Sequence, residues 1–512
     1  MPLALLAATV VGPYDLVIRN ARVIDGTGNP AYTADVAVHR DRIAAIGRDL
    51  PKGKRELEAR GMVVAPGFID VHIHSEEIAS VPRAENLVRM GVTTIVTGNC
   101  GVSRLDVGKF LKEVDRKVAV NVASLVGHNT VREKAMGGSF DRPPTVAELA
   151  TMRRMVRQAM QEGAAGLSTG LIYLPGTFSK PDEIVALAKE VRPFDGVYAT
   201  HMRNEGDQIL DALAEAFTIG READVRVQVS HVKLGGRPNW GRNQEVLRAI
   251  ERARAEGIDV TQDQYLYTAS ATGISTRVPA WAREGGKLKE RLADPATRAK
   301  VVDEMQRDLK ERLEPDYNYV QIRYWRTHPE VVGKRVPEAC RILNRPDDLN
   351  GQIELILEMT EDNAAGVFHG MDEGDLKAFL THPNTMVACD GGATEPKGGA
   401  GGHPRSFGNN PRVLARYVRE LNVLRLEDAV RRMTSLPAAT MGLADRGVVR
   451  PGAMADLVVF DPTKVQDNAT YEQPQGLATG FRLVMVSGVP VVEGDRHTGK
   501  TPGRAVPRAR RP

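Results

Sequence analysis

His72 and His74 sit two residues apart in PGFIDVHIHSEE, just after Asp70. Residues two apart on a β-strand face the same side, so both imidazoles can reach one metal ion. A lone H-x-H fits two partly buried histidines just as well, but here the pair opens a series. TTIVTGNC ends at Cys100, VAVNVASLVGHN reaches His128, AAGLSTGLIY ends at Tyr173, and VYATHMRNE carries His201. RVQVSHVK then brings His231 and Lys233, DVTQDQYLY ends at Tyr267, and NTMVACDGG brings Asp390. Eight short apolar runs, most closing on a residue able to bind metal or move a proton, are what a (β/α)8 barrel offers at the C-terminal ends of its strands. The chemistry they suit is metal-assisted hydrolysis.

The elements that must position these residues are legible in outline. Helical stretches such as VAELATMRRMVRQAMQEG and GDQILDALAEAFTIGRE alternate with the apolar runs, as in βα units. In the second, Ile209, Leu210, Leu213, Ala216 and Phe217 form one apolar stripe, read as packing against the barrel. Residues 1–60 and the stretch from 446 onward instead hold short strands (YDLVIRNARVID, ADLVVFDP, FRLVMVSGVPVVEG), expected to pair into one small discontinuous β-sandwich beside the barrel. The barrel is then expected over 61–445. Asp390 follows Tyr267 by 123 positions, too many for one loop. The charged segment at about 275–349 is expected to form a helical insertion at the barrel mouth, as a lid or an oligomer contact.

Composition fits an ordinary globular enzyme: 42% hydrophobic, 26% charged, formal charge +4 over 512 residues. That charge is too small and too dispersed to suggest a nucleic-acid partner, and the basic tail from Arg504 is expected to be a disordered end. Cys100, Cys340 and Cys389 are too few and too scattered for a disulfide framework. No apolar run reaches the roughly 20 residues that span a membrane. A cytoplasmic location is expected. A periplasmic or secreted one is the alternative, should the apolar segment at 1–12 be an export-signal remnant. Oligomeric state is not legible.

The motifs PGFIDVHIHSE, TGNCGVS, GLSTGLIYLPG, THMRNE, SHVK, CDGG and RGVVRPGAMADLVVFDP together resemble the D-aminoacylase (N-acyl-D-amino-acid deacylase) family of the amidohydrolase superfamily, from about Tyr14 to Gly494. GNCG with THMR and SHVK is the specific part. The resemblance implies an α/β fold, a TIM-like barrel with a small β domain, and hydrolysis of N-acyl-D-amino acids to a carboxylate and a free D-amino acid. Its preference for the D form comes from the resemblance alone. A cyclic amidase of the hydantoinase or dihydroorotase kind is the rival enzyme, and a non-catalytic amidohydrolase-like assembly protein the rival of another class. GNCG and the missing lysine on the fourth run argue against the first; intact ligand candidates argue against the second.

Zinc favours imidazole and thiolate in a tetrahedral site that keeps one position for water. Cys100, His201 and His231 supply such a set. Many relatives bridge two metals with a carboxylated lysine on strand four, where this chain has Ser168 and Thr169; the resemblance implies that the Cys100 thiolate takes its place. His72, His74 and Asp390 form a second, weaker position, so one tight Zn2+ and a partly filled second site are expected. The resemblance gives Asp390 proton transfer between water and the leaving amine. Asp70 is expected to orient a ligand histidine. The free carboxylate of an N-acyl amino acid needs a cation, for which Lys233 and Arg405 are candidates. Tyr173 could donate to the amide oxygen as charge develops there, and Tyr267 could hold the carboxylate. An apolar substrate such as N-acetyl-D-methionine is expected to be cleaved.

Overall fold

The computed structural model describes residues 14–508. The apolar segment at 1–12 and the last residues of the basic tail, 509–512, lie outside the described residues.

Eight parallel strands form the centre: β1 (Phe68–Asp70), β2 (Val92–Thr97), β3 (Asn121–Ser124, continued by Val126–Gly127), β4 (Gly166–Gly170), β5 (Val197–His201), β6 (Arg226–Val229), β7 (Val260–Gln264) and β8 (Thr385–Val387). Each pairs in parallel with the next. A parallel bridge between Ile73 and Gly391, just past the ends of β1 and β8, completes the ring. Nearly every residue of these strands is buried, as expected where parallel strands are covered on both faces. The helix Ile209–Ala223 buries Ile209, Leu213, Ala216 and Phe217 against this core while Leu210 stays half-buried.

Both ends of the chain feed one second sheet of nine strands. Leu16–Val23, Tyr32–His39, Arg42–Gly47, Arg55–Glu58 and Val63–Pro66 come from the front, and Leu457–Phe460, Phe481–Val486, Val489–Glu493 and Arg496–His497 from the back. The two halves meet where Val63–Pro66 pairs antiparallel with Leu457–Phe460. It is one continuous sheet with its own apolar cluster, including Ile18, Val36, Val64, Leu457 and Leu483, rather than two separate sheets.

The insertion is larger and less helical than the sequence suggests. It runs from strand Ala269–Gly273 to strand Ala365–His369, which is the middle strand of a three-stranded antiparallel sheet, flanked by Ala269–Gly273 and Val320–Tyr324. Helices Pro295–Glu311 and Leu349–Glu361 pack around a separate core containing Ile274, Met305, Trp325, Ile356 and Phe368. The long charged helices dominate the sequence pattern and hide the three five-residue strands.

The basic tail corrects another expectation. Through Arg508 it is not a loose end but a strap across the N-terminal end of β3. Val122 donates to Arg504 O at 2.8 Å and Val506 to Val122 O at 2.8 Å, while Gly503 donates to Val118 O at 2.8 Å. Arg504 pairs with Asp41 at 2.9 Å, and Arg508 Nε donates to Phe194 O at 2.9 Å. Arg504 and Arg508 are spent on carbonyls and carboxylates of the protein itself. Each net hydrogen bond is worth about 1 kcal/mol, so deleting 503–512 should lower the melting temperature by a few degrees. Because the strap lies at the end of the barrel opposite the candidate site, kcat should stay within twofold. An unchanged melting curve would show that the strap contributes nothing.

Candidate metal centre and active site

The residues singled out by type and spacing lie just past the C-terminal ends of the barrel strands. After β1 come His72 and His74, and after β2 comes Cys100; His201 ends β5, His231 follows β6, and Asp390 follows β8. Cys100, His231 and Asp390 all hold left-handed backbones, with φ of 51°, 36° and 49°. Few non-glycine residues adopt this region, and it recurs at functional sites. Here it turns the chain back at the strand end and aims the side chain over the barrel.

The resulting cluster is tight. Cys100 Sγ lies 3.3 Å from His72 Nε2, 3.7 Å from His201 Nδ1 and 3.7 Å from His231 Nε2. Asp390 Oδ1 lies 3.1 Å from His74 Nε2 and 3.4 Å from His72 Nε2. Three donor sets result, Cys100–His201–His231, His72–His74–Cys100 and His72–His231–Asp390, each with its ligand atoms within 4.8 Å of one another. One thiolate among several imidazoles and a carboxylate is a zinc-type donor set, and Cys100 belongs to two of the three groups. Burial pushes the Cys100 thiol up, but His72, His201 and His231 outweigh it and hold it well below its usual range. Burial likewise opposes ionisation of Asp390, while Arg405, His231 and His72 keep its carboxyl well below the ordinary range.

Several residues hold this cluster in place. Asp263 lies 3.5 Å from His72 Nδ1 and accepts from the His231 amide at 2.9 Å, leaving His72 Nε2 turned to Cys100. Asp70 accepts from the amides of His72 at 3.1 Å and Cys389 at 3.0 Å, tying the ends of β1 and β8 together rather than touching an imidazole; burial raises it to about 7. On β4, where relatives place a lysine, Ser168 donates to Gly98 O at 2.5 Å and accepts from the Gly101 amide at 3.1 Å. It thereby fixes the turn that presents Cys100. That turn needs its glycines: Gly98 has φ 81°, and a Cβ there would meet Leu125 O at 2.3 Å.

A cavity of about 550 Å³ opens onto the cluster, lined by Tyr173, His201, Glu205, His231, Lys233, Tyr265, Arg277, Phe368 and Asp390 among others. The Tyr173 ring packs edge-on to His201 at 4.9 Å, and its hydroxyl accepts from Thr272 Oγ1 at 3.1 Å. Lys233 lines the cavity but is already paired, 2.5 Å from Glu205 and 2.8 Å from His231 Nδ1. Glu205 also lies 3.0 Å from His231 Nδ1 and 3.7 Å from His201 Nε2. Glu205 stands four residues after His201 in the THMRNE motif, the one signal of its place that the sequence carries. Arg405 begins the helix Arg405–Arg412. It lies 2.9 Å from Asp390 Oδ2 and 4.6 Å over the Tyr265 ring, and its buried Nε has no hydrogen-bond partner among the described residues.

Tyr267 is not part of this arrangement. Its hydroxyl donates to Asp467 at 2.9 Å and its ring lies under Arg412, whereas Tyr265 faces the cavity. His128 and Arg203 also serve structure. His128 bonds Glu183 at 2.8 Å in the interior, and Arg203 ties Glu215 at 2.8 Å to the carbonyls of Thr177 and Ser179.

A closed parallel barrel with a thiolate–imidazole–carboxylate cluster on its C-terminal rim is the architecture of a metal-dependent hydrolase. The chain matches the amidohydrolase family over residues 55–263 and 396–492. It is 36% identical to the D-aminoacylase of Alcaligenes xylosoxydans xylosoxydans, over 97% of this chain and 98% of that one. It is 35% identical to the N-acyl-D-aspartate deacylase of the same organism, over 96% and 95%. The crystal structure of N-acyl-D-glutamate deacylase from Bordetella bronchiseptica, complexed with zinc and a phosphonate inhibitor, matches with a TM-score of 0.82 at 33% identity, covering 97% of this chain and 100% of that one. The protein belongs to the amidohydrolase family, in its D-aminoacylase branch, and is an enzyme.

Proposed function

We propose that this enzyme is a zinc-dependent deacylase that hydrolyses N-acyl-D-amino acids to a carboxylate and a free D-amino acid. The observation that carries the reading is the placement of Asp390 beside the Cys100–His201–His231 donor set, in a cavity that also presents Lys233. Zinc would be held by Cys100, His201 and His231, with His72, His74 and Asp390 as a weaker second position. When bound, it supplies a Lewis acid that acidifies water and polarises the acyl carbonyl. Asp390, ionised at rest, takes the proton of the attacking water and returns it to the leaving amine. Tyr173 donates to the carbonyl oxygen as charge develops there. Lys233, Arg405 and Tyr265 set the position of the substrate carboxylate. The choice of D over L rests on the relatives. No helix among the described residues is long and apolar enough to cross a membrane.

Paired N-acetyl-D- and N-acetyl-L-amino acids, assayed alongside metal analysis, test the proposal. The D series should be cleaved, and converting the free carboxyl to its amide should cost about 10- to 100-fold in kcat/KM, because a charged hydrogen bond is lost in a desolvated site. Lys233→Met should narrow that difference. Equal hydrolysis of acid and amide would sink the N-acyl-amino-acid reading in favour of a peptide or cyclic amide.

A further inference from the structure

On the reading above that Cys100, His201 and His231 hold zinc, we infer that Glu205 is a positioning residue for that metal: it draws the Lys233 ammonium off His231 and so sets which ring nitrogen of the histidine is left bare. Glu205 Oε1, Lys233 Nζ and His231 Nδ1 form a triangle with sides of 2.5, 2.8 and 3.0 Å. All three side chains are largely buried. His231 turns its other nitrogen, Nε2, to Cys100 Sγ at 3.7 Å. The second oxygen of Glu205 faces His201 Nε2 at 3.7 Å, and that nitrogen is buried with no hydrogen-bond partner among the described residues. His201 turns Nδ1 to Cys100. Among the described residues Glu205 is the one carboxylate within ion-pair distance of His201, His231 and Lys233.

A neutral imidazole carries one proton, and a metal takes the nitrogen that lacks it. For His231 Nε2 to be bare, Nδ1 must carry the proton and find an acceptor. Lys233 can only donate. If its ammonium faced Nδ1 alone, the 2.8 Å contact would be a hydrogen bond into the Nδ1 lone pair. The ring proton would then sit on Nε2, on the side that faces Cys100 and the metal. Glu205 reverses the choice. Its Oε1 accepts from the ammonium and offers the same anion to an Nδ1–H. Its Oε2 favours the matching outcome at His201, where a proton on Nε2 leaves Nδ1 bare. One carboxylate behind two ligand imidazoles thereby fixes both of them.

Competition between Lys233 and the metal for His231 differs from a plain charge effect. If Glu205 were only a negative charge near the metal and Lys233 only a positive one, each would shift zinc affinity by its own amount, and the two shifts would add. Competition does not add. With Glu205 in place the ammonium is already held off Nδ1, so removing Lys233 changes little for the metal. A glutamine at 205 is uncharged and has a single acceptor oxygen. Lys233 then turns to His231, and only then does it oppose the metal. The arrangement leaves Lys233 its place in the cavity, where Nζ lies 5.7 Å over the Tyr265 ring with N–H bonds to spare for a substrate carboxylate.

The test is zinc affinity, measured by competition with a chelator, in Glu205→Gln, Lys233→Met and the double variant. Glu205→Gln should weaken zinc binding by about 10- to 100-fold. Lys233→Met alone should change it by less than about threefold, yet added to Glu205→Gln it should restore at least about 10-fold. Damage to the fold would not be repaired by a second substitution, so this rescue separates positioning from mere support. If Glu205→Gln does not fold, Glu205→Asp takes its place: one methylene shorter, its carboxylate withdraws from the triangle, and the same rescue by Lys233→Met is expected. Additive shifts, or full zinc affinity in a folded Glu205 variant, overturn the inference and leave zinc on Cys100, His201 and His231 intact. Unmodified protein that holds no tight zinc, with Cys100→Ala no different, marks failure of the metal reading itself.

Discussion

Asp390→Asn is expected to fold, to keep its tightly bound zinc, and to lose about 10²- to 10⁴-fold in kcat, the usual size of a general acid–base contribution. The substitution preserves shape and removes the ability to accept a proton. Asp390 sits where that ability is useful: one oxygen faces His74 at 3.1 Å and the other faces Arg405 at 2.9 Å. Arg405 and the neighbouring imidazoles overcome the cost of burial and keep the carboxylate charged. The donor set Cys100–His201–His231 does not include Asp390, so zinc content by mass spectrometry should stay near one per chain. The distinguishing measurement is the split between kcat and KM. A loss confined to KM makes Asp390 a substrate-binding residue. Loss of zinc together with activity makes it a ligand first.

How much of this was legible in the sequence differs from residue to residue. His72, His74, Cys100, His201, His231 and Asp390 stood out because parallel strands place their C-terminal ends on one rim, so residues far apart in sequence share a site by topology alone. The placement of Tyr267 away from the cavity has a local cause. β7 ends at Gln264, and beyond a strand the two-residue alternation no longer predicts which face a side chain takes, so Tyr265 rather than Tyr267 turns inward. Glu205 and Lys233 could be named but not paired, since their 2.5 Å contact joins loops after neighbouring strands. The cavity wall built by the insertion was out of reach. Arg277 and Arg312 sit in a segment whose charge pattern reads as solvated helix, and only the fold shows that both line the cavity. The tail misled for the opposite reason. Its arginines look like an unstructured basic end until their carbonyl partners on distant loops are seen.

Cys100→Ala is expected to lose both metal and activity. The thiolate is the one sulfur in a set otherwise made of imidazoles, and three of those imidazoles reach Sγ at 3.3–3.7 Å. Removing it leaves His201 and His231, whose other ring nitrogens face Glu205, with no sulfur to close the site. The loss in zinc affinity should exceed the roughly 10–100-fold that residues behind a metal ligand typically cost. Cys100→Ser should be almost as damaging, because a neutral hydroxyl is a poor stand-in for a thiolate. Cys389 is the natural control. It is equally buried and unpaired, but burial and Asp70 push its thiol well above the usual range, so it stays protonated and inert. Cys389→Ala should therefore keep its zinc and most of its activity, with some loss of stability from the small cavity. If Cys100→Ala instead held a full equivalent of zinc and turned over normally, the thiolate would have no part in the metal site. The left-handed turn at Cys100, and the Ser168 contacts that fix it, would then be matters of packing alone.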